Sequence, residues 1–211
     1  MARRTKAEAE QTRCRILDAA ERLFHDQGVA RTSLDDIARA AHVTRGAIYW
    51  HFRDKHHLFD AMQARVVLPQ EHVFEALVDE EQEPLLRLRE ACKDAIRHAV
   101  ADERHRRVYT ILLLRCEYVG EMKAAEERRR RIAERMTARF ESILEKAARN
   151  GTLDPAWSPR SAAHALHAML LGLIVTWLEN PADRDFAVSG PECVDAFFTS
   201  LGLPAGRGQP A

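Results

Sequence analysis

The sequence carries no excess of either charge: 32 Lys and Arg stand against 32 Asp and Glu, for a formal net charge of +0. A strongly basic chain would have advertised nucleic acid over its whole surface; here any such signal has to be local. Cysteine is scarce and scattered. Cys14, Cys92, Cys116 and Cys193 form no C-x-x-C pair, which argues against a secreted disulfide framework and reads as four reduced thiols. Long hydrophobic runs are missing. The longest, near Met169–Val175, is too short to span a bilayer, and the polar opening Met1–Lys6 has no apolar stretch of the signal-peptide kind. Together these absences predict a soluble, cytoplasmic protein with no membrane partner. Catalytic signatures are lacking too. No G-x-S-x-G, G-x-x-x-x-G-K-[ST], H-E-x-x-H or strand-borne G-x-G-x-x-G occurs, so no catalytic residue, metal or cofactor is assigned.

What the chain does have is helical periodicity. Ile16, Leu17, Ala20, Leu23 and Phe24 share one face of a helix over about Glu8–Gln27, which Gly28 stops. Leu34, Ile37, Ala38 and Ala41 follow the same spacing behind Ser33, with Asp36 closing a capping box. After a break at His42-Val43, Thr44 caps a short helix over Arg45–Phe52. Asp54 caps a fourth, with Leu58, Ala61, Met62 and Val66 inward and an interruption or kink at Pro69. Later segments start at Pro84, cover about Glu103–Val119 and Glu121–Arg149, and run from Ser158-Pro159 to about Glu179. A last one follows Gly190-Pro191 and ends near Leu201. The run Glu126–Arg131 reads as a solvated face, and Pro204–Ala211 as a disordered tail. No strand pattern appears. The fold class predicted is all-α, with one unit over 1–53, a second over 54–203 and a tail over 204–211.

Two short helices a few residues apart are the helix-turn-helix arrangement, whose second helix enters the DNA major groove. Here Val43, Ala47, Ile48 and Phe52 are placed to pack inward, which leaves Thr44, Arg45, Gly46, Tyr49, Trp50 and His51 outward or at the rim. An Arg near the N-terminus of such a helix can donate twice to guanine O6 and N7. Gly46 removes bulk where the backbone nears the groove, and the aromatic side chains can reach phosphates, sugars and thymine methyls. Lys55 can neutralise a phosphate. Thr32 and Ser33, heading the preceding helix, complete the DNA-facing candidates. Arg3, Arg4 and Lys6 form a basic arm suited to a minor groove.

These residues carry a resemblance. Thr32-Ser-Leu-Asp-Asp-Ile-Ala38, Val43-Thr-Arg-Gly-Ala-Ile-Tyr-Trp-His-Phe52 and Asp54-Lys55 through Leu58-Phe59 resemble the TetR/AcrR family of transcriptional repressors. The opening Ala2-Arg-Arg-Thr-Lys6 and the later Arg115-Cys-Glu-Tyr-Val-Gly-Glu-Met122 resemble its AcrR-type branch, whose members repress multidrug efflux operons. His42 departs from the pattern, since the family commonly has Gly in that turn; His tolerates positive φ better than most residues.

The resemblance implies about nine helices, three for DNA and six for ligand and dimer. It also implies a homodimer on a near-palindromic double-stranded operator, with recognition helices roughly 34–36 Å apart. A hydrophobic, drug-like inducer would bind among the C-terminal helices. Candidate lining residues are Met62, Val66, Tyr109, Leu113, Cys116, Glu117, His167 and Leu171. The plainer readings are core filler for Met62 and an exposed or ion-paired acid for Glu117. His164 and His167, three apart on one helix, lack the further ligands a metal needs. Regulation of another kind of operon, or activation, remains compatible with the same motifs.

Overall fold

The computed structural model describes residues 6–78, 82–183 and 185–204, with side chains except at 67–72 and 121. Among the described residues there are nine α-helices and no strand. They are α1 (Lys6–Gln27), α2 (Leu34–Ala40), α3 (Arg45–His51), α4 (Lys55–Val78), α5 (Pro84–Ala101), α6 (Glu103–Thr110), α7 (Lys123–Arg149), α8 (Pro159–Glu179) and α9 (Phe186–Ser200). A π-helical turn, Ile111–Arg115, continues α6, and a 3-10 turn, Gly120–Met122, leads into α7.

The chain divides into two compact units, Met1–Val67 with Arg104–Arg129, and Leu68–Glu103 with Arg130–Ala211. The core of the first unit joins Ile16, Ala20 and Phe24 of α1 to Ile37, Ile48, Phe52, Leu58 and Phe59. Val108, Ile111 and Leu112 of the α6 segment complete it. Gly28 adopts φ +85 and ends α1 as its type suggests. The next residue, Val29, donates its N–H to the Arg115 carbonyl at 3.1 Å, so the turn leading to α2 is anchored on the end of the π-helical turn. Nearer the start of that turn, the Leu112 carbonyl accepts from the Tyr118 hydroxyl at 2.8 Å. In the second unit α5 packs on α9, and both meet α8. Gly190 permits the close approach: a Cβ there would lie 3.1 Å from Ile96 and 3.2 Å from the Phe186 ring. Lys93 of α5 donates to both carboxylate oxygens of Asp195 on α9, at 2.8 and 3.0 Å.

Three expectations change. Pro69 does not interrupt α4, whose helical backbone runs on to Val78; the proline's missing N–H removes one intrahelical donor but does not end the helix. Helix α9 begins at Phe186 and carries Pro191 inside it rather than starting after that proline. The segment over Glu103–Val119 leaves the helix after Arg115, where Cys116 is extended. Residues 205–211 of the expected tail lie outside the described residues.

One charged residue sits in the apolar stripe of α1. Glu21 falls four residues after Leu17 and three before Phe24, and is 1% exposed. Its carboxylate meets Arg107 at 2.9 Å, Arg104 at 3.4 Å and Arg65 at 3.8 Å, while Arg65 and Arg104 also reach Asp18 at 2.7 and 3.1 Å. This network ties α1 to α4 and α6. Burial pushes the Glu21 carboxyl above its ordinary value of 4.5 despite the three guanidiniums that pull it down. With the folded value raised, the stability this group contributes is fully present below the ordinary value and is lost as pH rises through the raised one. The arginines keep partial solvent access, so removing the charge strands no fully buried cation. Glu21→Gln is therefore expected to melt at or above the wild-type temperature near neutral pH. The difference should vanish below the ordinary carboxyl value, where the wild type is itself protonated. A variant that melts lower near neutral pH would show that ion pairing outweighs desolvation at this site.

Candidate nucleic-acid interface

Helix α3 has seven residues, and its two apolar anchors decide which way the others face. Ile48 and the C-capping Phe52 are 0% and 1% exposed. Thr44 caps the helix by accepting from the Ala47 N–H at 3.2 Å. Helix α2 is fixed in the same manner, by a reciprocal capping box between Ser33 and Asp36. Those bonds to Ser33, together with Arg39, hold the Asp36 carboxyl down at about 2. The turn between the helices is closed at His42, with φ +53. Asp54 caps α4 by accepting from the His57 N–H at 2.7 Å and also pairs with Arg53 at 2.9 Å, which lowers its pKa.

The outward face is as the packing requires. Thr44, Arg45, Gly46, Tyr49 and Trp50 are exposed, Trp50 by 72%, and His51 is half-buried with its ring edge-on to Trp50 at 4.5 Å. Nothing but the Thr44 hydroxyl comes within 4 Å of a Cβ built at Gly46, so the backbone there is open to a close approach. Arg45 is not loose. Its Nη1 donates to Asp35 Oδ2 at 3.0 Å and its Nη2 to the Tyr49 hydroxyl at 3.3 Å. Lys6 is exposed at the start of α1, whereas Arg3 and Arg4 lie outside the described residues.

Two of the DNA-facing candidates do not face outward. Thr32 is 1% exposed, because its hydroxyl donates inward to the Gly28 carbonyl at 2.8 Å and accepts from Gln27, pinning the turn before α2. Lys55, the first residue of α4, is 6% exposed rather than turned to a phosphate. Ser33 is exposed, but its hydroxyl is engaged in the cap.

The ligand candidates fall in both units, Met62, Val66, Tyr109, Leu113, Cys116 and Glu117 in the first and His167 and Leu171 in the second. In the first unit Met62 and Val66 are 0% exposed within the closed core, so they act as packing rather than as an open lining. Tyr109, Leu113 and Cys116 pack partly buried against that core, and Glu117 is exposed. Burial pushes the Cys116 thiol up to about 11, so it stays protonated near neutral pH.

In the second unit His167 lines an open groove of about 310 Å³ between α7 and α8, with Arg130, Glu134, Thr137, Glu141, Arg160 and His164 around it. The Thr137 hydroxyl donates to the Ala133 carbonyl at 3.0 Å, so in its 2.8 Å contact with Thr137 the His167 Nδ1–H must donate. Burial, then His164, lowers the His167 pKa, which favours that neutral ring. Leu171 is exposed by 39%. Of the α7 residues that line this groove only Arg130 lies in the run that reads as solvated; Glu134, Thr137 and Glu141 follow it and belong to no motif.

The architecture and the exposed α3 face can be compared with known proteins. The family model described as "Bacterial regulatory proteins, tetR family" matches residues 16–62, and that of the "MAATS-type transcriptional repressor, C-terminal region" matches 83–202. The chain belongs to the TetR family. Among relatives, the HTH-type transcriptional repressor BepR of Brucella suis is 39% identical over 204 residues, 96% of this chain and 98% of BepR. Among solved structures, NalD, the secondary repressor of the MexAB-OprM multidrug efflux pump in Pseudomonas aeruginosa, shares 40% identity. Its TM-score is 0.85, over 94% of this chain and 100% of that one. The SmeT–triclosan complex, 31% identical, has a TM-score of 0.83 over 95% of this chain and 99% of that one. The TetR-type match covers α2 and α3 entirely.

His42 gives the first test of this interface. An L-residue in the left-handed region costs roughly 1–2 kcal/mol, partly offset by the extra unfolded-state entropy a glycine brings. His42→Gly is expected to stabilise the protein by up to about 1 kcal/mol in chemical denaturation, with DNA affinity unchanged because His42 is exposed in the turn and precedes the outward face of α3. A loss of stability would show that the imidazole makes contacts worth more than the strain.

Proposed function

We propose that this TetR-family protein is a ligand-responsive repressor of a multidrug efflux pump operon, released from its operator when a small hydrophobic or cationic compound binds. The observation that carries the DNA-binding half is the face of α3. A seven-residue helix spends its apolar side chains on the core and presents Arg45, Tyr49 and Trp50 to solvent. The regulated operon is supported by the relatives, since NalD is a repressor of an efflux pump.

In this reading Thr44, Arg45, Gly46, Tyr49, Trp50 and His51 meet the major groove. Ser33 and Lys6 flank them, and Arg3 and Arg4 serve as a minor-groove arm. The functional division falls at residue 53, with the reading head before it and the sensing and dimerising helices over 54–203. The protein acts in the cytoplasm as a homodimer. Support for the dimer comes from α8, which is apolar and long enough to cross a membrane by composition alone, yet in the single chain leaves apolar residues such as Leu171 exposed. A two-fold partner covering that face accounts for it without a bilayer.

The inducer is a compound of the kind SmeT binds, and His167, which lines the open groove of the second unit, is its candidate contact. Ligand binding shifts α4, the helix that directly follows the reading head in sequence, and the operator is lost through a coupling free energy of about 1–3 kcal/mol.

The test is titration of the protein into duplex DNA from upstream of its own gene, at several salt concentrations, beside Arg45→Ala. Tight binding by the wild type is expected, with a loss of about 1–3 kcal/mol per base contact in the variant. Saturating triclosan is expected to weaken wild-type binding by roughly 5- to 150-fold. Wild-type binding no tighter than to random duplex would remove the self-regulating repressor. Unchanged affinity with triclosan would remove that compound class as inducer.

A further inference from the structure

Both cations on the outward face between residues 44 and 54 are escorted by a carboxylate. For Arg53 the escort has another duty, because Asp54 also caps α4. Asp35 has no such duty. The neighbouring Asp36 fills the capping box and takes Arg39, and among the described residues Asp35 pairs with no cation but Arg45. An exposed acid beside a DNA-reading arginine repels phosphates, so its presence calls for a reason.

The geometry supplies one. Arg45 is held from two helices at once: Asp35 of α2 takes Nη1 at 3.0 Å, and Tyr49, one turn further along α3, takes Nη2 at 3.3 Å. The guanidinium carbon lies 5.7 Å from the Tyr49 ring centroid, which limits its swing. A guanidinium has five N–H donors. Two are spent here and three remain, enough for the two that guanine O6 and N7 require. An arginine ordered before binding loses less freedom on binding. Its charge, meanwhile, is matched by Asp35, so a duplex that offers only phosphates gains little from it.

We propose that Asp35 is a specificity-determining residue of this reading head, aiming Arg45 at a base edge while withholding its charge from the phosphate backbone. The proposal rests on the DNA-binding reading given above. It says that Asp35 lowers affinity for random DNA and raises discrimination at one base pair in each half-site. A first-turn acid also suits the α2 helix dipole, but that role would show in the melting temperature and not in base preference.

The experiment begins by selecting duplexes from a random pool with the full-length protein and with Arg45→Ala, to find the base pair whose preference depends on Arg45. Wild type, Asp35→Asn and Asp35→Glu are then titrated with the selected duplex, with that duplex changed at the identified pair, and with random duplex, over a range of salt. Melting temperatures are recorded alongside. Asp35→Asn is expected to bind random duplex more tightly and with a steeper salt dependence, by about one unit of slope per half-site. Its discrimination at the Arg45-dependent pair should fall on the order of tenfold. Asp35→Glu keeps the charge and should keep the weak random-duplex binding. Wild-type discrimination and wild-type random-duplex affinity in Asp35→Asn would overturn the proposal. Failure of the underlying reading looks different: the wild type would select no sequence, or Arg45→Ala would alter no base preference, and the role of Asp35 would fall with it.

Discussion

The burial of Ile48 and Phe52 is the constraint from which the recognition surface follows. Helix α3 is too short to hold itself together. It persists because these two side chains enter the same core as Ile16, Ala20 and Ile37, and because Thr44 closes its first turn. With seven residues and two anchors, the remaining directions are set: Arg45, Gly46, Tyr49 and Trp50 have nowhere to go but outward. Core packing and function are thus one decision at this helix, and truncating either anchor would move the reading side chains as well as weaken the fold.

The same core reaches past the reading head. Glu21 and Asp18 of α1 are linked to Arg65 of α4 and to Arg104 and Arg107 of the α6 segment, and the turn after α1 hangs on the Arg115 carbonyl. The first compact unit therefore includes residues 104–129, far along the chain from the helix-turn-helix. Any change that moves α4 or α6 must either break these charge-assisted contacts or carry α1 with it. That is a physical route by which a displacement of α4 or α6 would reach α1.

Much of the fold was legible because it rests on local chemistry. Ser33 with Asp36, Thr44, Asp54 and Ser158 cap the helices their spacing suggests, and Gly28 and His42 take the positive φ expected of them. What was not legible depends on the third dimension. The inward turn of Thr32 and the burial of Lys55 follow from packing that one-dimensional exposure patterns do not encode. Pro69 and Pro191 sit inside helices, where proline is usually read as a stop. Glu21 left a trace, a charged residue in phase with Leu17 and Phe24, but its three arginine partners lie 44, 83 and 86 residues away and only folding brings them together. The Asp35–Arg45 pair was hidden for the same reason: both residues belong to the family-like motif, yet the bond between them crosses from α2 to α3. Helix position does not by itself mark a ligand site, and the groove beside His167 has a wall on α7 that no motif marks.

The most direct measurement of the central claim is a footprint of the protein on its own upstream DNA, at the lowest concentration that gives full protection. If α3 reads the major groove in each half of a two-fold dimer, two protected patches should appear on one face of the duplex. Their centres should lie about 10–10.5 base pairs apart, related by a dyad in the sequence. A single unsymmetric patch, or protection spread evenly without regard to sequence, would contradict both the assignment of α3 and the dimer that presents it.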